Sequence, residues 1–87
     1  MVKIGGIDIG EFPLLLAPME DVSDPPFRAL CKEQGADLMF TEFISVEGLI
    51  RDADKSLQKL EIFETESPIG VQLFGAEYDS MMKAAEI

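Results

Sequence analysis

With 87 residues, 47% hydrophobic and 28% charged, the chain has room for one small domain with an ordinary core, and its composition excludes a disordered segment. Its 17 acidic against 7 basic residues leave a net charge of -10, which opposes contact between this segment and a polyanion, because nucleic-acid affinity comes largely from neutralised phosphates. A single cysteine, Cys31, and no histidine exclude an internal disulfide, a zinc site and a Ser-His pair. No apolar run approaches the roughly 18 residues that span a bilayer, and no basic segment precedes a hydrophobic stretch. The expectation is a metal-free cytoplasmic protein with no membrane partner.

Residues 2–9 alternate apolar with small or polar side chains about Gly5-Gly6, with Val2 and Ile4 on one side of the pair and Ile7 and Ile9 on the other. Glycine takes positive φ freely at both turn positions, so the spacing predicts a short hairpin. Residues 14–17, held between Pro13 and Pro18, are too few for a helix and apolar on both faces, which predicts a strand of a parallel sheet buried from both sides. Pro18 lacks an amide hydrogen and Asp21, Ser23 and Asp24 favour local side-chain hydrogen bonds, so the backbone leaves the sheet after Ala17. Asp24 before Pro25 marks a helix start, with a side-chain cap and a proline where its missing donor costs nothing. Phe27, Leu30 and Cys31 then fall at helical spacing, and Gly35 ends the helix.

A second strand is predicted over residues 36–43, around Leu38, Met39 and Phe40. Ser45 caps a following helix on which Val46, Leu49, Ile50, Ala53, Leu57 and Leu60 recur at helical spacing. Gly48 weakens that helix by about 1 kcal/mol, and Asp52 and Asp54 divide it into two pieces. Residues 61–67 carry Glu61, Glu64 and Glu66 and read as a solvated loop at the amino-terminal end of the third strand, residues 69–74, which Pro68 begins and Gly75 ends. Tyr78, Met81, Met82 and Ala85 mark one face of a third helix over residues 76–87. The three strand and helix periods differ in sequence, so they form no repeat, and no linker divides the chain.

In parallel sheets ligands sit at the carboxyl ends of strands beside helix starts, which directs attention to Thr41-Glu42 and to Gln72. Gln72 interrupts an apolar strand, and a buried carboxamide must find partners in neighbouring strands or in a ligand, or cost roughly 1–3 kcal/mol. Glu42 is open to ligand contact or to loop capping alike. Cys31 has no base or cation near it in sequence and reads as a small core residue without a catalytic role. Arg28 reads as a solvated surface residue.

The ordered set Ala17-Pro18-Met19, Val22-Ser23-Asp24, Pro26-Phe27-Arg28, Gly35-Ala36-Asp37, Thr41-Glu42 and Val71-Gln72-Leu73-Phe74-Gly75 resembles the opening of the tRNA-dihydrouridine synthases, over nearly all of residues 10–87. The departure lies at Glu20 and Asp21, where the commoner family pattern has two small residues. The resemblance implies an α/β fold, with residues 1–87 the N-terminal fragment of a (β/α)8 TIM barrel: a hairpin plugging its amino-terminal end and about three βα units. It further implies a flavin enzyme that reduces uridine in tRNA to dihydrouridine, with FMN as cofactor and NAD(P)H as reductant. Pro18, Met19 and Glu20 by backbone and Gln72 by side chain are the implied FMN contacts, an alternating donor and acceptor edge suiting a carboxamide.

No stretch matches the family's Asn-Met-Gly-Cys-Pro loop, so the proton-donating cysteine, the remaining FMN groups and the tRNA contacts are expected outside these residues, and residues 1–87 alone are expected to be inactive. Two other expectations compete. One is another FMN-dependent barrel acting on a small molecule such as dihydroorotate. The other is a non-catalytic truncated module whose unpaired strand edges drive self-association.

Overall fold

A computed structural model describes residues 1–87. Strands β1 (Val2–Ile4) and β2 (Ile7–Gly10) form an antiparallel hairpin in which Ile4 pairs with Ile7 across Gly5-Gly6. Of the two glycines only Gly5 has positive φ, at 59°, as in a II′ turn, which needs glycine at its first central position alone. Ile9 is buried, and Ile4, Ile7 and Ile9 border one apolar cavity together with Leu38, Phe40 and Ile69. The hairpin thus covers the amino-terminal side of the sheet.

That sheet consists of β3 (Leu15–Leu16), β4 (Leu38–Phe40) and β6 (Ile69–Gly70), all parallel and adjacent in chain order with β4 in the centre. Leu16 lies opposite Met39, and Met39 opposite Ile69. Leu38 and Met39 are buried, as the central strand requires, but Leu14 and Leu15 are at least half exposed. Within residues 1–87, β3 pairs on one side only, with β4.

Helix α1 (Pro25–Glu33) returns the chain from β3 to β4. Asp24 Oδ1 accepts from the Phe27 amide at 3.0 Å and Pro25 occupies the first turn, while Gly35 leaves the helix at φ 111°. The second connection is split as expected into α2 (Val46–Ile50) and α3 (Asp54–Gln58). Asp52, at φ 56°, makes the break, a left-handed position that Asp tolerates because its short side chain bonds locally. Ser45 Oγ caps α2 by accepting from the Gly48 amide at 3.2 Å. Gly48 has a packing role besides its helical cost: a Cβ there would overlap Ser56 Oγ, so glycine lets α3 lie against α2.

Past the sheet, β5 (Ile44–Ser45) pairs in parallel with β7 (Leu73–Phe74). Between the Phe40–Gly70 and Ile44–Leu73 pairs the second strand advances four residues and the third only three. The extra residue bends the strand at Thr41–Phe43, in the manner of a bulge. Helix α4 (Tyr78–Glu86) follows, and Ile44, Val46, Leu49 and Ala84 form the apolar core between it and α2, flanked by Ile50, Leu60, Leu73 and Met81.

Two sequence expectations are overturned beside α1. Arg28 and Glu66, both read as solvated, are 2% and 0% exposed, and Arg28 Nε donates to Glu66 Oε1 at 2.6 Å. Residues 64–66 form a 3-10 turn rather than an open loop, and Glu66 Oε2 accepts from the Phe63 amide at 2.6 Å. Arg28 Nη1 donates to the Ser23 carbonyl at 2.8 Å. The two charges are tolerated inside because they neutralise each other and take backbone partners on both sides.

Candidate functional site

Pro18, Glu42 and Gln72 follow β3, β4 and β6, so all three leave the sheet at its carboxyl edge. Pro18 and Gln72 are separated there by two strand spacings, about 10 Å. Each loop is pinned by hydrogen bonds that decide which of its polar groups remain available.

In the first loop the Met19 backbone is fully engaged. Its amide donates to Ser23 Oγ at 2.8 Å, and its carbonyl accepts from the same hydroxyl at 2.9 Å and from the Val22 and Ser23 amides. Ser23 is fully buried and acts as the pin of a tight turn that includes Asp21 at φ 64°. The Pro18 carbonyl and the Glu20 amide have no protein partner. Of the three residues expected to offer backbone contacts, Pro18 and Glu20 therefore have groups to offer, and Met19 presents its half-exposed side chain.

The third loop is held by Thr41. Its hydroxyl, fully buried, accepts from the Gln72 amide at 3.1 Å, and the Gln72 carbonyl accepts from the Ile44 amide at 2.9 Å. The sequence expectation of a buried Gln72 carboxamide is corrected: the strand is interrupted at Val71-Gln72, and the side chain is exposed with no protein partner. Its backbone is fixed while its donor and acceptor stay free.

A lysine that the sequence reading passed over joins the loops. Lys59 Nζ lies 3.3 Å from Glu20 Oε1, donates to the Phe43 carbonyl at 3.0 Å and stands 4.7 Å from the centre of the Phe43 ring. That ring in turn meets Phe74 at 5.6 Å between centroids. The chain Glu20, Lys59, Phe43, Phe74 thus links the ends of all three strands. Lys59 lies 39 positions from Glu20, and Arg28 lies 38 from Glu66, so no local spacing marks either pair. Thr41 was singled out in sequence without a role, which only the register supplies. Cys31 is half-buried and free, and no group of His, Cys, Asp or Glu side chains is placed to hold a metal ion.

The family model for dihydrouridine synthase matches residues 15–87. The chain belongs to the dihydrouridine synthase family. It is 39% identical over 88 aligned positions to a "Probable tRNA-dihydrouridine synthase" of Rickettsia prowazekii, covering 100% of this chain and 27% of that protein. A "tRNA-dihydrouridine synthase B" of Pasteurella multocida is 36% identical over 74 positions, which is 85% of this chain and 22% of the relative. A "Probable tRNA-dihydrouridine synthase" of Aquifex aeolicus is 37% identical over 75 positions, 85% and 23% of the two. The chain thus spans about a quarter of the length of the curated relatives it matches. No solved structure matches it. The matched region takes in every loop of the carboxyl edge described above, and no helix of the chain is long and apolar enough to cross a membrane.

Proposed function

We propose that the intact protein is a flavin-dependent tRNA-dihydrouridine synthase and that residues 1–87 supply its first three βα units and one wall of its FMN site. Membership of the family and the parallel order of β3, β4 and β6 support a place at the start of a (β/α)8 barrel. The observation that carries the cofactor reading is the set of unengaged polar groups at one sheet edge: the Pro18 carbonyl, the Glu20 amide and the Gln72 carboxamide. One offers an acceptor, one a donor and one both, which fits a ring edge on which carbonyls and nitrogens alternate. The Met19 side chain is free to lie against an apolar surface beside them.

The chemistry supplied by a bound FMN would be the redox step, with NAD(P)H as reductant, as cofactors carry the redox chemistry in such enzymes. The protein groups bind and orient. Gln72 fixes the ring edge, and Thr41 is a positioning residue that holds the Gln72 backbone. Lys59 ties Glu20 to the Phe43 carbonyl and so holds the first loop against the second. The proton that completes the reduction comes from a cysteine outside residues 1–87, Cys31 lying on α1 away from the edge loops.

The test is reduction of uridine in transcribed tRNA by the full-length gene product with NAD(P)H. Conversion to dihydrouridine is expected. A protein that leaves tRNA unchanged and reduces a small pyrimidine acid instead would move the assignment to another flavin barrel.

A further inference from the structure

The two backbone groups that the first loop leaves unengaged, the Pro18 carbonyl and the Glu20 amide, belong to peptide units whose other ends are held by Ser23. The Pro18 carbonyl shares its peptide with the Met19 amide, which donates to Ser23 Oγ at 2.8 Å. The Glu20 amide shares its own with the Met19 carbonyl, which accepts from the same hydroxyl at 2.9 Å. Neither peptide is cis. In a planar trans unit the N–H and the C=O point in opposite directions, so holding one end aims the other. A single hydroxyl, accepting once and donating once, thus directs one acceptor and one donor out of the turn.

The dependence is strongest for Pro18. The Met19 carbonyl also accepts from the Val22 and Ser23 amides, at 3.0 and 2.9 Å, whereas the Met19 amide has Ser23 Oγ as its one protein partner. Ser23 is itself locked. It is fully buried, and the amides that a helix start would offer its carbonyl are lacking at Pro25 and Pro26 and, at Phe27, taken by Asp24 Oδ1. Arg28 Nη1 fills that place, donating to the Ser23 carbonyl at 2.8 Å, and Arg28 is held in turn by Glu66. The buried ion pair therefore reaches the carboxyl edge through one serine.

Resting on the reading of this edge as a flavin wall, we infer that Ser23 is a positioning residue for FMN binding: its hydroxyl aims the Pro18 carbonyl and the Glu20 amide, and the Arg28–Glu66 pair keeps Ser23 in place. Being buried beneath the turn, Ser23 acts through the backbone of its neighbours. A loop already set in its binding shape spares the ordering cost that a free loop incurs when the ligand arrives. A staple serving the fold alone would lower stability and leave the cofactor's affinity and spectrum as they were.

Ser23→Ala, Ser23→Thr and the double variant Arg28→Met with Glu66→Leu are made in the full-length gene product, with folding checked by circular dichroism. FMN affinity, the absorbance of the bound flavin and hydrogen exchange at the Met19 amide of the apoprotein are then measured. Ser23→Ala is expected to quicken that exchange, shift the flavin band and weaken FMN about 3–10-fold, the worth of about one net hydrogen bond. Ser23→Thr keeps the hydroxyl and is expected to restore all three. A folded Ser23→Ala protein that binds FMN as the parent does overturns the inference; if Gln72→Ala still weakens FMN, the flavin wall stands without it. Should Ser23→Ala fail to fold, the double variant decides: faster Met19 exchange with weaker FMN binding supports the inference, and parent-like affinity overturns it. A parent protein that binds no FMN removes the functional reading as well.

Discussion

Replacing Glu66 by alanine would leave the Arg28 guanidinium, 2% exposed, without its counter-ion. An uncompensated buried charge costs about 3–5 kcal/mol, and loss of the acceptor for the Phe63 amide adds about 1 kcal/mol, that amide being only part-buried. Folded domains of this size hold about 4–13 kcal/mol in total, at 0.05–0.15 kcal/mol per residue. The single substitution therefore removes a third or more of what is available. With an m-value of about 1–1.5 kcal/mol/M, urea unfolding followed by circular dichroism should show the midpoint falling by about 3–6 M, or no folded baseline at all. Arg28→Met combined with Glu66→Leu removes both charges and should cost far less than Glu66→Ala alone, because no orphan charge remains. A Glu66→Ala protein within about 0.5 M of the parent, or a double variant as damaged as the single, would refute a buried pair and restore the solvated reading drawn from sequence.

Thr41→Val should cost about 1–3 kcal/mol by removing the acceptor for the Gln72 amide; hydrogen exchange at that amide should quicken, and Thr41→Ser should restore its protection. Gly70→Ala places a Cβ into the Phe40 ring and should cost about 1–3 kcal/mol in thermal unfolding, partly recovered by Phe40→Leu, which makes room. Lys59→Ala should change stability by less than about 1 kcal/mol, since the Glu20 pair is about a third exposed, yet weaken FMN binding by loosening the first loop. The 87-residue chain expressed alone exposes Phe12, Leu14, Leu15 and Phe74 together with the free edge of β3. It should self-associate in sedimentation velocity, and a stable monomer at high concentration would contradict this.

What could be read from sequence was what local chemistry dictates. The Asp24 cap, the proline after it, the Gly35 stop and the break between α2 and α3 each rest on one or two residues and their backbone preferences. The alternation of strands and helices followed from short apolar runs set between stretches of helical spacing. Illegible features were those set by distant partners. Arg28 looks solvated until Glu66, 38 positions on, is brought beside it, and no spacing in the chain announces that meeting. Gln72 looked buried because the run around it is apolar. The extra residue in the second strand breaks the pairing at that point, and a one-residue mismatch between strands leaves no mark in either strand alone. The same holds for Lys59, whose tie to Glu20 and Phe43 exists only once the loops share an edge.

The most direct test is FMN titration of the full-length gene product against its Gln72→Ala variant, followed by flavin absorbance and fluorescence, with Gln34→Ala as control because Gln34 is exposed at the far end of α1. Loss of a carboxamide that both donates to and accepts from the ring should weaken binding at least about 10-fold, the equivalent of about 1.4 kcal/mol, with Gln34→Ala unchanged. Equal FMN affinity in the Gln72→Ala variant and the parent would contradict a flavin wall built from this sheet edge.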